Sequence, residues 1–317
     1  MYPTLNQLRY LVALAEEGSF TRAAERVYLT QPALSVQIRK LEEALGVRLF
    51  DRSRGELTEV GRAVVAQARK VLEEVERLKA LAQGEEGGFQ GPFRIGVIPT
   101  LAPYLLPRLL PGFAGRYPGL ELVVREELTP AILRGLLDGS LDAGLVATPE
   151  EEAGLRGIPL FEEAFLAYVS PHHPLYPKEA IHPLEIPLED TWILAEGHCF
   201  RDQILALCRP GLARRRLEFQ AGNLETLVLL VEEVGGLTLL PEVALWTLPE
   251  AKRVHLRPLS PPGAGRTVFL LLREGGLKAR AALRLAEEAK GVFQALRAEV
   301  GGQKSVMMGA EVRHDQT

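Results

Sequence analysis

Between Thr30 and Gly46 the chain can be little other than a helix, and that helix constrains what lies on either side of it. Thr30 offers an oxygen to the free N–H groups of a first turn, and Pro32 falls where a missing N–H costs nothing. Leu34, Ile38, Leu41 and Leu45 recur at helical spacing on one stripe, and Gly46 supplies the stop. Such a stripe has to be covered. Upstream, Leu5, Leu8, Leu11, Val12 and Ala15 repeat with the same period until Gly18, and a second short helix is expected from about Thr21 to Val27 behind Ser19, with Tyr28-Leu29 as the turn. Downstream, residues 47–57 read as two short extended runs around Ser53-Arg54-Gly55, a small hairpin. Three helices and a hairpin make a winged helix-turn-helix over residues 1–58.

Its third helix turns Gln31, Ala33, Ser35, Gln37 and Arg39 away from the apolar stripe. Amide, hydroxyl and guanidinium groups of this kind bond base edges and phosphates, although a solvated helix face carries the same groups. With Thr30 and Pro32 at the helix start and Arg48, Arg52 and Arg54 on or near the wing, these are the candidate DNA contacts; Arg9 and Arg22 are weaker ones. Bulk charge gives no help, since the net charge is −4.

Thr58 is placed to cap a long helix from Glu59 to about Gln83, in which Val64, Ala68, Val71, Val75, Leu78 and Ala82 step by alternate fours and threes. That seam suits pairing with a second copy, and equally suits packing on its own domain. Gly84 to Pro92 has a linker's composition, so residues 59–90 are expected to be a dimerisation helix and hinge. Beyond, strands near 93–98, 120–126 and 143–147 alternate with helices starting at Thr100 and Thr129. A second α/β unit follows, with strands near 165–170, 191–195 and 236–241, helices near 202–208 and behind Asn223, a strand at 267–273 and a helix at 278–298. Alternation of this kind predicts parallel sheet covered by helices. The chain is thus expected to be α+β and multidomain, with an effector domain over 91–300 and a disordered tail over 301–317.

No apolar run approaches the ~20 residues needed to cross a bilayer, and MYPTLNQLRY lacks the pattern of an export signal. A cytoplasmic protein without membrane contact is expected. Two cysteines, Cys199 and Cys208, give no structural disulfide framework; in a reducing cytosol a bond between them would be transient, regulatory or catalytic. Two inert buried thiols are the plain alternative. Against that, Cys199 lies between His198 and Arg201 at a helix start, a setting that favours thiolate. Neither His172 nor His173 has a third ligand in view, so no metal and no cofactor are expected.

The stretch LRYLVALAEEGSFTRAAERVYLTQPALSVQIRKLEEALGVRLFDRSRGELTEVG closely resembles the N-terminal domain of LysR-type transcription regulators. The remainder resembles the hydrogen-peroxide-responsive members of that family through IGVIPTLAPYLLP (95–107), LLDGSLD (136–142), GHCFRDQ (197–203) with Cys208 following, LETL (224–227) and LTLLP (237–241). The resemblance implies a regulator of oxidative-stress genes that binds a two-fold DNA site as a homodimer or homotetramer and works with RNA polymerase. Its effector domain would resemble a periplasmic binding protein, with subdomain I formed by 91–161 and 267–300 and subdomain II by 162–266. The resemblance also implies Cys199 as the peroxide-attacking thiolate, Cys208 as the resolving one, and Thr100, Thr129, His198 and Arg266 as peroxide contacts. N-capping by itself would explain both threonines. His198 as a plain surface histidine and Asp202 as a mere helix cap are the corresponding alternatives.

If residues 199–208 were one helix, the two Cα atoms would stand ~13 Å apart, beyond the ~7 Å limit for a disulfide. The bond would then require the segment to unwind, a refolding event as well as a chemical one. A regulator answering a small carboxylate or aromatic effector in the cleft between subdomains is the alternative. A thiol peroxidase or a solute-binding protein gives no reason for the DNA-binding head.

Overall fold

The computed structural model describes residues 2–83, 88–147, 153–208, 219, 221–261 and 264–311. At the N-terminus, Thr4 and Gln7 form a reciprocal capping box that starts α1 (Leu5–Glu17), and Gly18 ends it in the left-handed conformation. After α2 (Phe20–Arg26), the Thr30 hydroxyl accepts from the Ala33 N–H at 3.4 Å and starts α3 (Gln31–Leu45). The hairpin is β1 (Phe50–Asp51) paired antiparallel with β2 (Glu56–Leu57). Leu11, Leu14, Leu34, Ile38, Leu41 and Leu49 are fully buried, so the expected stripes do meet in one small core.

The hairpin passes directly into α4 (Glu59–Gln83), with the Thr58 Oγ1 accepting from the Gly61 N–H at 2.9 Å. Gly61 is required there: a Cβ would lie 2.0 Å from the Leu49 carbonyl oxygen. Gly61→Ala therefore pushes the wing off the helix and is expected to destabilise the head by about 1–3 kcal/mol, read as a lowered Tm for its unfolding transition. On α4, Ala68 is buried and Val64, Val71 and Val75 are half-buried, while Leu78 remains 67% exposed. The first part of the seam is thus partly covered within the chain, by α1 among others, and its later part is open.

The remaining elements are β3 (Gly91–Val97), α5 (Ala102–Arg116), β4 (Leu120–Glu126), α6 (Thr129–Leu137), β5 (Ala143–Val146), β6 (Leu155–Val169), β7 (Thr191–Trp192), α7 (Cys199–Leu207), α8 (Leu224–Glu233), β8 (Leu237–Pro241), β9 (Leu256–Pro258), β10 (Gly265–Arg273) and α9 (Ala279–Glu311). The strand order is β4-β3-β5-β10-β6-β8-β7, with β9 beside β6. β3 pairs parallel with β4 and β5, as the alternation predicts, but β10 pairs antiparallel with both β5 and β6. The sheet is mixed because β6 and β10 are the two strands on which the chain crosses between its halves. β6 serves both: residues 155–164 pair with β10, and residues 165–169 with β8.

Three other expectations change. Neither Thr100 nor Thr129 caps a helix. The cap positions are Leu101 and Leu128, without side-chain hydrogen bonds, and Thr129 is already the first helical residue. The last helix does not stop at 298: α9 continues to Glu311, since Gln303 to Glu311 is rich in helix-forming residues and Gly301-Gly302 alone does not break it. Gly84 to Gly87, part of the expected linker, and Pro210-Gly211, whose composition suits a helix end just after Cys208, lie outside the described residues, as do 312–317.

Contacts tie α4 to the effector body. Arg69 lies 3.7 Å from Glu16 of α1 and 3.3 Å from Asp138, just beyond α6. Glu73 accepts from the Arg273 guanidinium and from the Leu277 N–H, and Arg77 donates to the Gly275 carbonyl at 2.6 Å.

Candidate functional site

The DNA-facing candidates gather on one side of the head. Thr30, Gln31, Pro32 and Arg39 are exposed, and Ala33, Ser35 and Gln37 half-exposed. Arg52 reaches back from the hairpin to donate to the Ser35 Oγ at 3.2 Å, with its guanidinium 5.7 Å from the Phe20 ring centre, so wing and third helix form one surface. Arg54 is exposed, 3.8 Å from Asp51; Arg48 and Arg9 are also exposed. Arg22 donates to the Glu17 carbonyl at 2.5 Å and is already engaged.

In the effector body, α7 begins at Cys199 itself, with the extended His198 before it and no side-chain cap. Gly197 makes this approach possible: its φ is 90°, and a Cβ would stand 3.0 Å from Leu128, the residue before Thr129. The loop carrying His198 and Cys199 is thereby pressed against the start of α6. From the other side comes Arg266, near the start of β10 and opposite Glu163 in register. Its Nε donates to Glu163 at 2.7 Å, and its remaining nitrogens to the Thr100 hydroxyl at 2.8 Å and the Thr100 carbonyl at 3.2 Å. The guanidinium carbon lies 5.2 Å from the centre of the Phe200 ring, next in sequence to Cys199. The pair is dry, with side-chain exposures of 1% for Arg266 and 0% for Glu163. The second Glu163 oxygen accepts from the Val243 N–H at 2.9 Å, which completes its partners.

Thr100, Thr129, His198, Cys199 and Arg266 therefore converge although they are spread over 167 positions. The Thr100 hydroxyl is occupied by Arg266, which is why it caps nothing. Thr129 is buried and its hydroxyl has no hydrogen-bond partner among the described residues. Gln203 stands one helical turn after Cys199; its amide donates to the Ala147 carbonyl at 3.2 Å, and its Oε1 is likewise buried without a partner. Two orphaned buried oxygens beside a half-exposed thiol suit a small, polar, hydrogen-bonding guest.

The charges around Cys199 differ from expectation. Arg201 is turned to the Leu194 carbonyl, 3.0 Å away, and burial holds the His198 imidazole below its usual pKa, so it is neutral at pH 7. The buried cation of the site is Arg266. Because the folded state disfavours a proton that the unfolded chain accepts near pH ~6.5, the contribution of His198 to stability is complete above that value, shrinks below it, and is gone once the pH has fallen past the lower folded pKa. Tm is expected to drop on acidification below about 6.5, and His198→Asn to drop less steeply, with His173, also lowered by burial, accounting for part of the remainder.

Cys208 closes the far end of α7 with its N–H donating to the Ile204 carbonyl. Burial pushes its thiol up to about 11, against a smaller opposite effect of the Thr191 hydroxyl, so it is a protonated thiol at neutral pH. Phe200 and Ile204, between the cysteines, are fully buried. Glu163 and Gln203 are the residues that sequence reasoning missed. Gln203 was within reach, four residues after Cys199 on a helix, but Glu163 depends on strand register.

A winged helix-turn-helix joined by a long helix to a two-part α/β body with a cluster of buried polar groups describes a transcription regulator of the effector-responsive kind. The bacterial regulatory helix-turn-helix model of the lysR family matches residues 5–62 and the LysR substrate binding domain model matches residues 86–294; the chain belongs to the LysR family. It is 38% identical over 300 residues to the hydrogen peroxide-inducible genes activator of Haemophilus influenzae, covering 92% of this chain and 99% of that one. It is 39% identical over 275 residues to the DNA-binding transcriptional dual regulator OxyR of Escherichia coli K12, covering 86% and 90%. Among solved structures, a full-length OxyR variant from Pseudomonas aeruginosa matches with a TM-score of 0.80 at 37% identity over 91% of this chain and 98% of that one. A Corynebacterium glutamicum OxyR cysteine mutant with hydrogen peroxide bound matches at 0.62 and 32%, over 95% and 97%.

Proposed function

We propose that this regulator senses hydrogen peroxide through Cys199 and Cys208 and thereby activates oxidative-stress genes. The observation that carries this is the convergence of a half-exposed Cys199 with Thr100, Thr129, His198 and Arg266, while a second thiol lies buried at the other end of the same nine-residue helix. Thr129 and Gln203 offer unfilled hydrogen-bonding atoms, and the relative with peroxide bound supports the identity of the guest. The Cys199 thiolate attacks one peroxide oxygen, the O–O bond breaks, and hydroxide leaves, giving the Cys199 sulfenic acid. The Cys208 thiol then displaces water from it. One peroxide becomes two waters and two thiols become one disulfide.

The same proposal assigns Thr30, Gln31, Pro32, Ala33, Ser35, Gln37, Arg39, Arg52 and Arg54 to DNA, residues 1–58 to the head, 59–90 to the connection and 91–300 to the effector body. It makes the protein a cytoplasmic homodimer or homotetramer that works with RNA polymerase and turns over no substrate. Among the described residues no helix is long and apolar enough to cross a membrane. Counting free thiols before and after substoichiometric peroxide tests the switch: two are expected to vanish per peroxide in the wild type. Cys208→Ser is expected to give a sulfenic acid at Cys199 and no intramolecular bond. Unchanged thiols in the wild type would refute peroxide sensing and leave DNA binding standing.

A further inference from the structure

Tyr28 is the only non-glycine residue with a positive φ among the described residues, at 56°. It stands in the turn between α2 and α3, where α2 is closed by backbone alone: the Tyr28 N–H donates to the Glu25 carbonyl at 3.2 Å and the Leu29 N–H to the Ala24 carbonyl at 2.9 Å. Glycine suits such a helix-ending position, because the left-handed backbone crowds any Cβ. A tyrosine there strains the turn, and its side chain adds nothing to the cap. Packing gives nothing back either, since the residue is 95% exposed. Strain that brings the free molecule no contact points to a contact made in the bound one.

The location says with what. Two residues on, Thr30 opens α3, and exposed Gln31 and Pro32 follow. In helix-turn-helix docking the start of the second helix meets base edges, while flanking segments meet the sugar-phosphate backbone. The neighbouring cations are engaged, Arg22 by the Glu17 carbonyl and Arg26 by Glu16 and Glu17 at 2.6 and 3.0 Å. Among the aromatic and cationic side chains at this turn, the exposed Tyr28 phenol thus stands without an ion-pair partner beside the start of α3. We propose that the Tyr28 hydroxyl donates to a phosphate oxygen of duplex DNA beside the start of α3, a sequence-independent clamp that sets how α3 enters the groove. The proposal rests on the DNA-binding role of the head.

The test measures the anisotropy of a fluorescein-labelled duplex of arbitrary sequence, about 40 base pairs long, titrated with the full chain over a series of salt concentrations. Tyr28→Phe keeps the ring and the strain and removes only the hydroxyl; it is expected to weaken binding about tenfold with an unchanged salt slope, since no counterion is involved. Tyr28→Gly is expected to weaken binding as much while raising Tm by a few degrees, a combination that a purely structural role would not produce. Wild-type affinity in Tyr28→Phe overturns the phosphate contact. If the wild type itself fails to bind duplex, DNA binding by the head falls, a result distinct from a silent Tyr28→Phe.

Discussion

Arg266→Met is expected to destabilise the effector body by about 3–5 kcal/mol, because it leaves the Glu163 carboxylate fully buried with a single backbone donor. For a body of this size that corresponds to a fall in Tm on the order of 10 °C, read by thermal unfolding of the full chain. The double variant Arg266→Met with Glu163→Gln removes both charges and is expected to recover most of the loss, since a buried pair can be replaced as a pair at little cost. Oxidation by peroxide should not recover with it, because Thr100 and the neighbourhood of Cys199 have still lost their cation. A double variant that stays as unstable as Arg266→Met would show that Arg266 acts through packing on Phe200 rather than by neutralising Glu163.

The second large effect is on α7. A disulfide needs Cα atoms within ~7 Å, and the helix from Cys199 to Cys208 holds them ~13 Å apart. Forming the bond must take Phe200 and Ile204 out of the core, which opposes it by about 3–6 kcal/mol of lost apolar burial. Amide exchange over residues 199–208 is therefore expected to be slow in the reduced protein and faster by orders of magnitude after peroxide, read by mass spectrometry of the peptic fragments. Equal protection in both states would mean that the thiols join without unwinding the helix, contrary to the geometry. Phe200 and Ile204 share one core with Cys208, so the packing that keeps its thiol protonated is also the packing that such a bond would have to break.

What the sequence made legible was local. Caps at Thr30, Thr58 and Asn223, stops at Gly18 and Gly46 and the stripe through Leu34, Ile38 and Leu41 act over a few residues, so the head, the long helix and the start of α8 could be read directly. The candidate site was legible as a set of residues to compare and not in the bonds among them. Thr100 looked like a cap because its partner, Arg266, is 166 positions away, and no local pattern announces such a bond. Arg201 looked like the cation of the thiol site because it is close in sequence, yet its guanidinium closes the Leu194 carbonyl. Antiparallel pairing by β10 was hidden for the same reason: alternation of strands and helices reports the order of elements and is blind to a strand that returns from the other half.

That returning strand has two ends with different neighbours. Arg266, near its start, is fastened to Glu163 and Thr100; Arg273, its last residue, is fastened to Glu73 on the helix that leads to the head. Seven residue steps of extended backbone, ~23 Å, separate them, and ladder bonds to β5 on one side and β6 on the other leave the strand no slack. The cluster around Arg266 and the shaft below the DNA-binding head thus grip opposite ends of a single stiff rod, whose middle lies clamped in the sheet, so that neither grip is mechanically private.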